Sequence, residues 1–235
     1  MLRPAVKRST RGFTLIEMVV TVALLAIATA STVPIITRIL AQGEVDRYRQ
    51  QIEIGLFSLK AKLSAKKTSC TVEFASTFKF EEPKNIIEFS QNSATNQTTF
   101  ECCDSEIDQL LANDGCISLQ PGHKISELTN NPLDNLRLVS LESTPESKRV
   151  RIAITGPSKS FGFTPAGTTS NASSLTFLIC HEQSLDADDP FNCAPERNNI
   201  SMRCLSINGT GGIKYGTWKV PSAASPVSSG SCDFS

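Results

Sequence analysis

Histidine is scarce in this chain: only His123 and His181 occur among 235 residues, and tryptophan occurs once. With so few histidines a Cys/His zinc cluster is short of ligands, and the cysteine spacings contain no pair of C-x-x-C motifs. Asp186, Asp188 and Asp189 offer oxygens but not the spacing of an EF-hand, so they read as a solvated acidic loop rather than a calcium site. No nucleophile–base arrangement stands out. Gly209 to Gly212 is glycine-rich but precedes no apolar helix, which makes it a hairpin turn rather than a phosphate cradle. No catalytic residue, metal or cofactor is therefore expected. There is no internal repeat, and the formal charge of zero announces no nucleic-acid or anionic-membrane partner.

The zero hides an asymmetry. Residues 1–12 carry Arg3, Lys7, Arg8 and Arg11 and no acid, and without them 19 basic side chains face 23 acidic ones, a net of −4. Cysteine is distributed just as unevenly. Cys70, Cys102, Cys103, Cys116, Cys180, Cys193, Cys204 and Cys232 all lie beyond residue 69. Disulfides formed in an oxidising compartment account for them better than buried thiols or a metal cluster. By nearness along the chain Cys116 is a candidate partner for one of the vicinal pair Cys102–Cys103, and Cys193 or Cys204 for Cys180. Eight cysteines allow about 105 connectivities, so the pairing stays open.

Phe13 to Val33 is a run of 21 residues with one ionisable side chain, Glu17. At about 1.5 Å per residue such a helix spans a hydrocarbon core of about 30 Å. The basic flank precedes it, which keeps residues 1–12 in the cytoplasm and sends the remainder across. A secretory signal carries its small-residue cleavage site after the apolar region. Here Gly12 stands before it. The stretch Arg11-Gly12-Phe13-Thr14-Leu15-Ile16-Glu17 resembles the prepilin signal of type IV pilin-like proteins. The resemblance implies cleavage after Gly12 by a prepilin peptidase, N-methylation of Phe13, and retention of the apolar helix. It also implies assembly in which Glu17 of one subunit neutralises the Phe13 amine of a neighbour. A carboxylate inside an apolar span costs at least about 2.5 kcal/mol, so Glu17 needs a partner.

Beyond the apolar run, Val45, Tyr48, Ile52, Leu56, Leu59 and Leu63 recur at helical spacing with charged residues between them. One helix is predicted over 13–66, spanning the membrane at about 13–33, with Pro34 as a kink and Gly43 as a second soft point. After Lys67 the pattern becomes short alternating runs. Strands are predicted at Thr71–Phe74, Phe78–Phe80, Ile86–Phe89, Arg137–Leu141, Val150–Ile154, Leu175–Cys180, Ile200–Ser206 and Ile213–Val220. A short helix is predicted at Ser105–Ala112, capped by Asp104 with Gly115 beyond it, and a Ser/Pro-rich tail from Pro221. The expected fold is α+β: a leader (1–12), a long helix (13–66), and a disulfide-bearing β-rich head (67–235) of antiparallel sheets packed on the helix.

Phe163-Thr164-Pro165-Ala166-Gly167, the strand after it, Arg203-Cys204, Asn208-Gly209 and Gly212-Ile213-Lys214 follow an order similar to the carboxy-terminal half of the GspH/FimT family of minor pseudopilins. The chain departs from that pattern by an acidic insertion at Glu182–Glu196. It also lacks the Gly-Arg-x-Arg motif with which some members bind DNA. Arg197, Arg203, Lys214 and Lys219 face only Asp233 over residues 197–235, a local net of +3. With Tyr215 and Trp218, they are candidates for a single-strand nucleic-acid contact, of which Arg203, Lys214, Tyr215 and Lys219 are the core. Edge-strand charge and core aromatics explain the same residues more simply.

The resemblance implies a structural subunit of a type IV pilus or type II secretion pseudopilus. Its partners would be other pilins or pseudopilins through the helix, the peptidase and an inner-membrane assembly platform. The head would lie in the periplasm before assembly and in the fibre afterwards. A DNA-binding competence pilin, a main fibre subunit and a signal-anchored periplasmic enzyme are the rival readings.

Overall fold

The computed structural model describes residues 14–66, 69–74, 78–88, 99–103, 116–119, 138–164, 166–169, 174–194, 197–221 and 225–234. The chain forms two compact units, Met1–Ile39 and Leu40–Ser235. Helix α1, Leu15–Lys66, begins in the first and ends in the second. Its helical conformation continues through Pro34, where the Thr37 hydroxyl donates to the Pro34 carbonyl at 3.0 Å.

Within the second unit α1 lies against two antiparallel sheets. Strands β1 (Ser69–Glu73), β2 (Thr99–Cys103), β3 (Cys116–Leu119) and β5 (Ser160–Phe163) form the first, in the order β3-β2-β1-β5. Strands β4 (Val150–Thr155), β6 (Leu175–His181), β7 (Arg203–Ile207), β8 (Ile213–Lys219) and β9 (Ser231–Asp233) form the second, in the order β4-β6-β7-β8-β9. The α1 stripe of Val45, Tyr48, Ile52, Leu56, Leu59 and Leu63 is buried to 1% exposure or less. It meets Val72, Phe161 and Phe163 from one sheet and Ile152, Phe177, Ile179, Leu205 and Ile207 from the other. Gly55 lets the 138–140 segment cross the helix, because a Cβ there would strike the backbone of Leu138 and Val139. Ser140 N donates to Gln51 O at the same crossing, 3.1 Å away.

The second sheet is buried on both faces. Side chains alternate along a strand, so residues next to those facing the helix point away from it. Ala153, Leu178, Cys180, Cys204 and Trp218 make a second core with Phe80, Cys193, Met202 and Val227. Two disulfides lie here, Cys180–Cys193 and Cys204–Cys232. Cys70 is also disulfide-bonded, and its backbone pairs opposite Cys102, while Cys103 pairs opposite Cys116. Of the two partners open to Cys180, Cys193 is the one it takes, because Cys204 reaches the returning carboxy terminus.

Several expected strands are something else. Phe78–Phe80 carries no strand; it covers the second core, and only Glu81 bridges to Ile152. Pro83 starts a 3-10 turn where a strand was expected from Ile86, and the amides of Ile86, Ile87 and Glu88 all turn back to its carbonyl. Leu138–Leu141 is a series of bends that follows α1, and helix α2, Pro145–Arg149, succeeds it. The first of the last two expected strands starts at Arg203 rather than Ile200. The carboxy-terminal segment is no free tail, since β9 closes the sheet beside β8. The helix expected at Ser105–Ala112 lies outside the described residues.

Candidate functional site: an apolar helix and a polar cleft

The first unit is defined by the start of α1. Thr14-Leu15-Ile16-Glu17 has the T-x-x-E form of a capping box, and the Thr14 hydroxyl accepts from the Glu17 amide at 3.3 Å. That signal was legible in the sequence beside the processing motif and places Glu17 in the first turn, where the helix dipole favours an anion. Apolar side chains then project on every side: Leu15 is 84% exposed, Ile16 70% and Ile27 69%. The hydroxyls of Thr21, Thr29, Thr32 and Thr37 each donate to a carbonyl three or four residues back. No polar side-chain group among these four asks for water, which is what a hydrocarbon environment demands. This is the one helix among the described residues long and apolar enough to cross a membrane, with a mean hydropathy of 2.3 over its best window. Gly12 and Phe13 lie outside the described residues.

In the second unit the candidate nucleic-acid residues are only partly brought together. Arg203 sits on β7 with its Nε 2.6 Å and its Nη2 3.3 Å from the two Asp46 oxygens, while its Nη1 donates to Thr217 at 2.6 Å. Tyr215 lies under the Arg49 guanidinium, 4.0 Å from ring centre to charge. Lys219 pairs with Asp233 at 2.5 Å. Lys214, one residue from Tyr215 on β8, points to the opposite face, where it approaches the Phe234 ring. Arg203 and Tyr215, with Asp46, Arg49, Gln50, Gly216 and Thr217, line a cleft of about 310 Å³ between α1 and the sheet. Arg49 was missed in sequence reasoning because it falls next to the apolar stripe and reads as helix surface, yet it is 8% exposed.

Two other polar groups, His181 and Glu88, are buried and serve to fasten segments. His181 accepts from the Gln183 amide at Nδ1, which leaves Nε2 to bond Glu44 at 3.1 Å. Both ring nitrogens are engaged, so this pair offers no base to a nucleophile. Glu88 accepts from the Tyr48 hydroxyl at 2.6 Å and from the Ser143 amide at 3.2 Å, and burial raises its pKa. The acidic loop is tied by its own backbone: Asp186 and Asp189 accept from the Asp188 and Phe191 amides. Among the described residues no group of three or more His, Cys, Asp or Glu is placed to hold a metal ion.

Residues 7–33 match the family model described as the prokaryotic N-terminal methylation motif. No curated protein sequence matches the chain. Among solved structures, the type IV minor pilin FimU of Pseudomonas aeruginosa (strain PAO1) aligns over 77% of this chain and 92% of its own, at 13% identity and a TM-score of 0.30. A global likeness that slight defines no shared geometry. With the methylation motif at its amino terminus, a long helix that begins within it and antiparallel sheets after that, the chain is type IV pilin-like.

Proposed function

We propose that the protein is a minor pilin or pseudopilin, a structural subunit that enters a type IV pilus or a type II secretion pseudopilus through α1. The observation that carries this reading is the start of α1: apolar on all sides, with one carboxylate, Glu17, in its first turn and inside the methylation motif. A soluble protein leaves no such surface uncovered, and a plain anchor has no use for the carboxylate. In this proposal a prepilin peptidase cuts after Gly12 and methylates Phe13. The new cationic amine and Glu17 of a neighbouring subunit then pair in hydrocarbon. The helix inserts in the inner membrane before an assembly platform extracts it into the fibre. The head acts by position and contact, with no catalysis of its own. Oxidising conditions outside the cytoplasm suit the disulfides Cys180–Cys193 and Cys204–Cys232.

A DNA-binding competence pilin would share this anchor, but Arg203 and Lys219 already hold carboxylates, which argues against a nucleic-acid surface built on them. Mass spectrometry of the membrane-extracted protein tests the main reading. A mature chain beginning at N-methylated Phe13 supports it, and one that keeps Met1 or begins beyond residue 30 overturns it.

A further inference from the structure

The cleft between α1 and β8 holds a guanidinium whose bonding is incomplete. Arg49 has a side chain only 9% exposed, and its Nη1 reaches Glu53 at 2.7 Å. Its Nε and Nη2 have no acceptor among the described residues. A guanidinium presents five N–H donors in a planar fork, and the two groups here without a protein acceptor keep contact with solvent. Arg49 is nevertheless held in place, stacked on Tyr215 at 4.0 Å and tethered by Glu53. The second guanidinium in the lining, Arg203, is also fixed, by both oxygens of Asp46 and by Thr217. Two guanidiniums line the cleft, Arg203 paired with Asp46 in the lining and Arg49 paired with Glu53 beside it. The Asp46–Arg203 pair shows, inside the same cleft, the two-point geometry that a carboxylate adopts on an arginine.

We propose that this cleft is a carboxylate-binding site, in which the unused edge of the Arg49 fork receives an acidic side chain of a partner protein. The cleft is open to such a group, because Tyr215 is 46% exposed and Gln50 stands exposed at its rim. Its volume of about 310 Å³ exceeds what one side chain needs, so the peptide flanking the acid enters with it. The Tyr215 ring supplies a flat wall for the methylene groups of that side chain. This inference uses only the second unit and stands apart from the filament reading.

The test uses full-length protein in detergent micelles and calorimetric titration with three probes. They are a capped pentapeptide bearing two glutamates, acetate and sulfate. Peptide binding that weakens with salt, with acetate competing and sulfate much weaker, is the expected result. Losing a charge-assisted hydrogen-bonded pair should weaken peptide binding about ten- to hundredfold in Arg49→Gln. Because Arg49 is buried, that variant is paired with Gln50→Trp, which fills the mouth of the cleft from an exposed position and should block the peptide without touching either guanidinium. Circular dichroism reports whether both variants keep the fold. Peptide binding unchanged in Gln50→Trp, sulfate bound as tightly as the peptide, or binding of acetate alone would each overturn the proposal.

Discussion

Between Leu15 and Leu40 helix α1 leaves apolar side chains exposed on every side, whereas from Ala41 to Leu63 it buries one apolar stripe and leaves Ile54 and Phe57 exposed. The second stretch also carries Arg47, Arg49, Gln50 and Glu53 between its apolar positions, while the first has Glu17 and Arg38 as its only ionisable groups. A stripe suits a helix with protein on one side and water on the other. Apolar surface on all sides suits a helix that meets no water at all. The same helix thus carries two side-chain patterns along its length, and the change falls near Leu40.

Five variants break or sharpen that contrast, and the largest effect belongs to the first stretch. Glu17→Ala should leave insertion and leader cleavage intact, since removing a carboxylate from an apolar span relieves at least about 2.5 kcal/mol. Incorporation into fibres should fall by roughly tenfold or more if Glu17 holds a neighbour's amine in hydrocarbon. The ratio of protein in sheared filaments to protein in membranes measures this, and an unchanged ratio removes the assembly role. In the second stretch, Leu56→Ala opens a cavity under a side chain that is 0% exposed and should cost about 2–5 kcal/mol of head stability. Leu25→Ala, at a position 64% exposed, should move the same unfolding transition by less than about 0.5 kcal/mol. Denaturant unfolding followed by Trp218 fluorescence compares the two, and equal effects would erase the contrast.

The far face of the second sheet gives a smaller effect. Cys232→Ser opens the bridge to Cys204, which closes a separation of 28 residues, and should cost about 2–4 kcal/mol while freeing β9. Hydrogen exchange at the amides of 231–233 should rise well above that at β6. The smallest effect is a pH dependence at the buried junction of α1 with the 83–88 turn. Burial raises the Glu88 carboxyl above its ordinary value, with Tyr48 and the Ser143 and Ser147 hydrogen bonds opposing and Glu142 reinforcing the shift. The folded state therefore favours protonated Glu88. Its contribution to stability is full below the unfolded pKa of about 4.5 and declines as pH rises through the higher folded value. Glu88→Gln should flatten that decline, as read from unfolding midpoints between acid and neutral pH. A decline that persists in the variant assigns it to another group.

What was legible in the sequence shares one property: it depends on residues near one another along the chain. The stripe from Val45 to Leu63 is buried at each of its six expected positions, because helical periodicity is a local rule. Strands β1, β4, β6 and β8 fall close to their expected places for the same reason. Asp186, Asp188 and Asp189 lie in a loop as expected, although the acidic insertion opens with a 3-10 turn at Glu182–Ser184. The failures are equally instructive. Phe78–Phe80 and Leu138–Leu141 have strand-like composition, but each is apolar because it covers a face of another element rather than because it pairs in a ladder. Strand β5 went unread because Ser160–Phe163 offers four residues with two bulky rings, too short a run to show alternation.

By itself the sequence determined the methylation motif, the apolar span with Glu17, the helical stripe that follows and the expectation of disulfides. Each is written in contiguous residues or in composition, so no folding is needed to see it. Only the tertiary structure decided that Cys180 takes Cys193 and Cys204 takes Cys232, that the carboxy terminus returns as β9, and that Arg49 and Arg203 meet over one cleft. The physical reason is distance along the chain. Arg203 finds Asp46 across 157 residues and Glu88 finds Tyr48 across 40, and only the docking of helix on sheet brings such groups into contact.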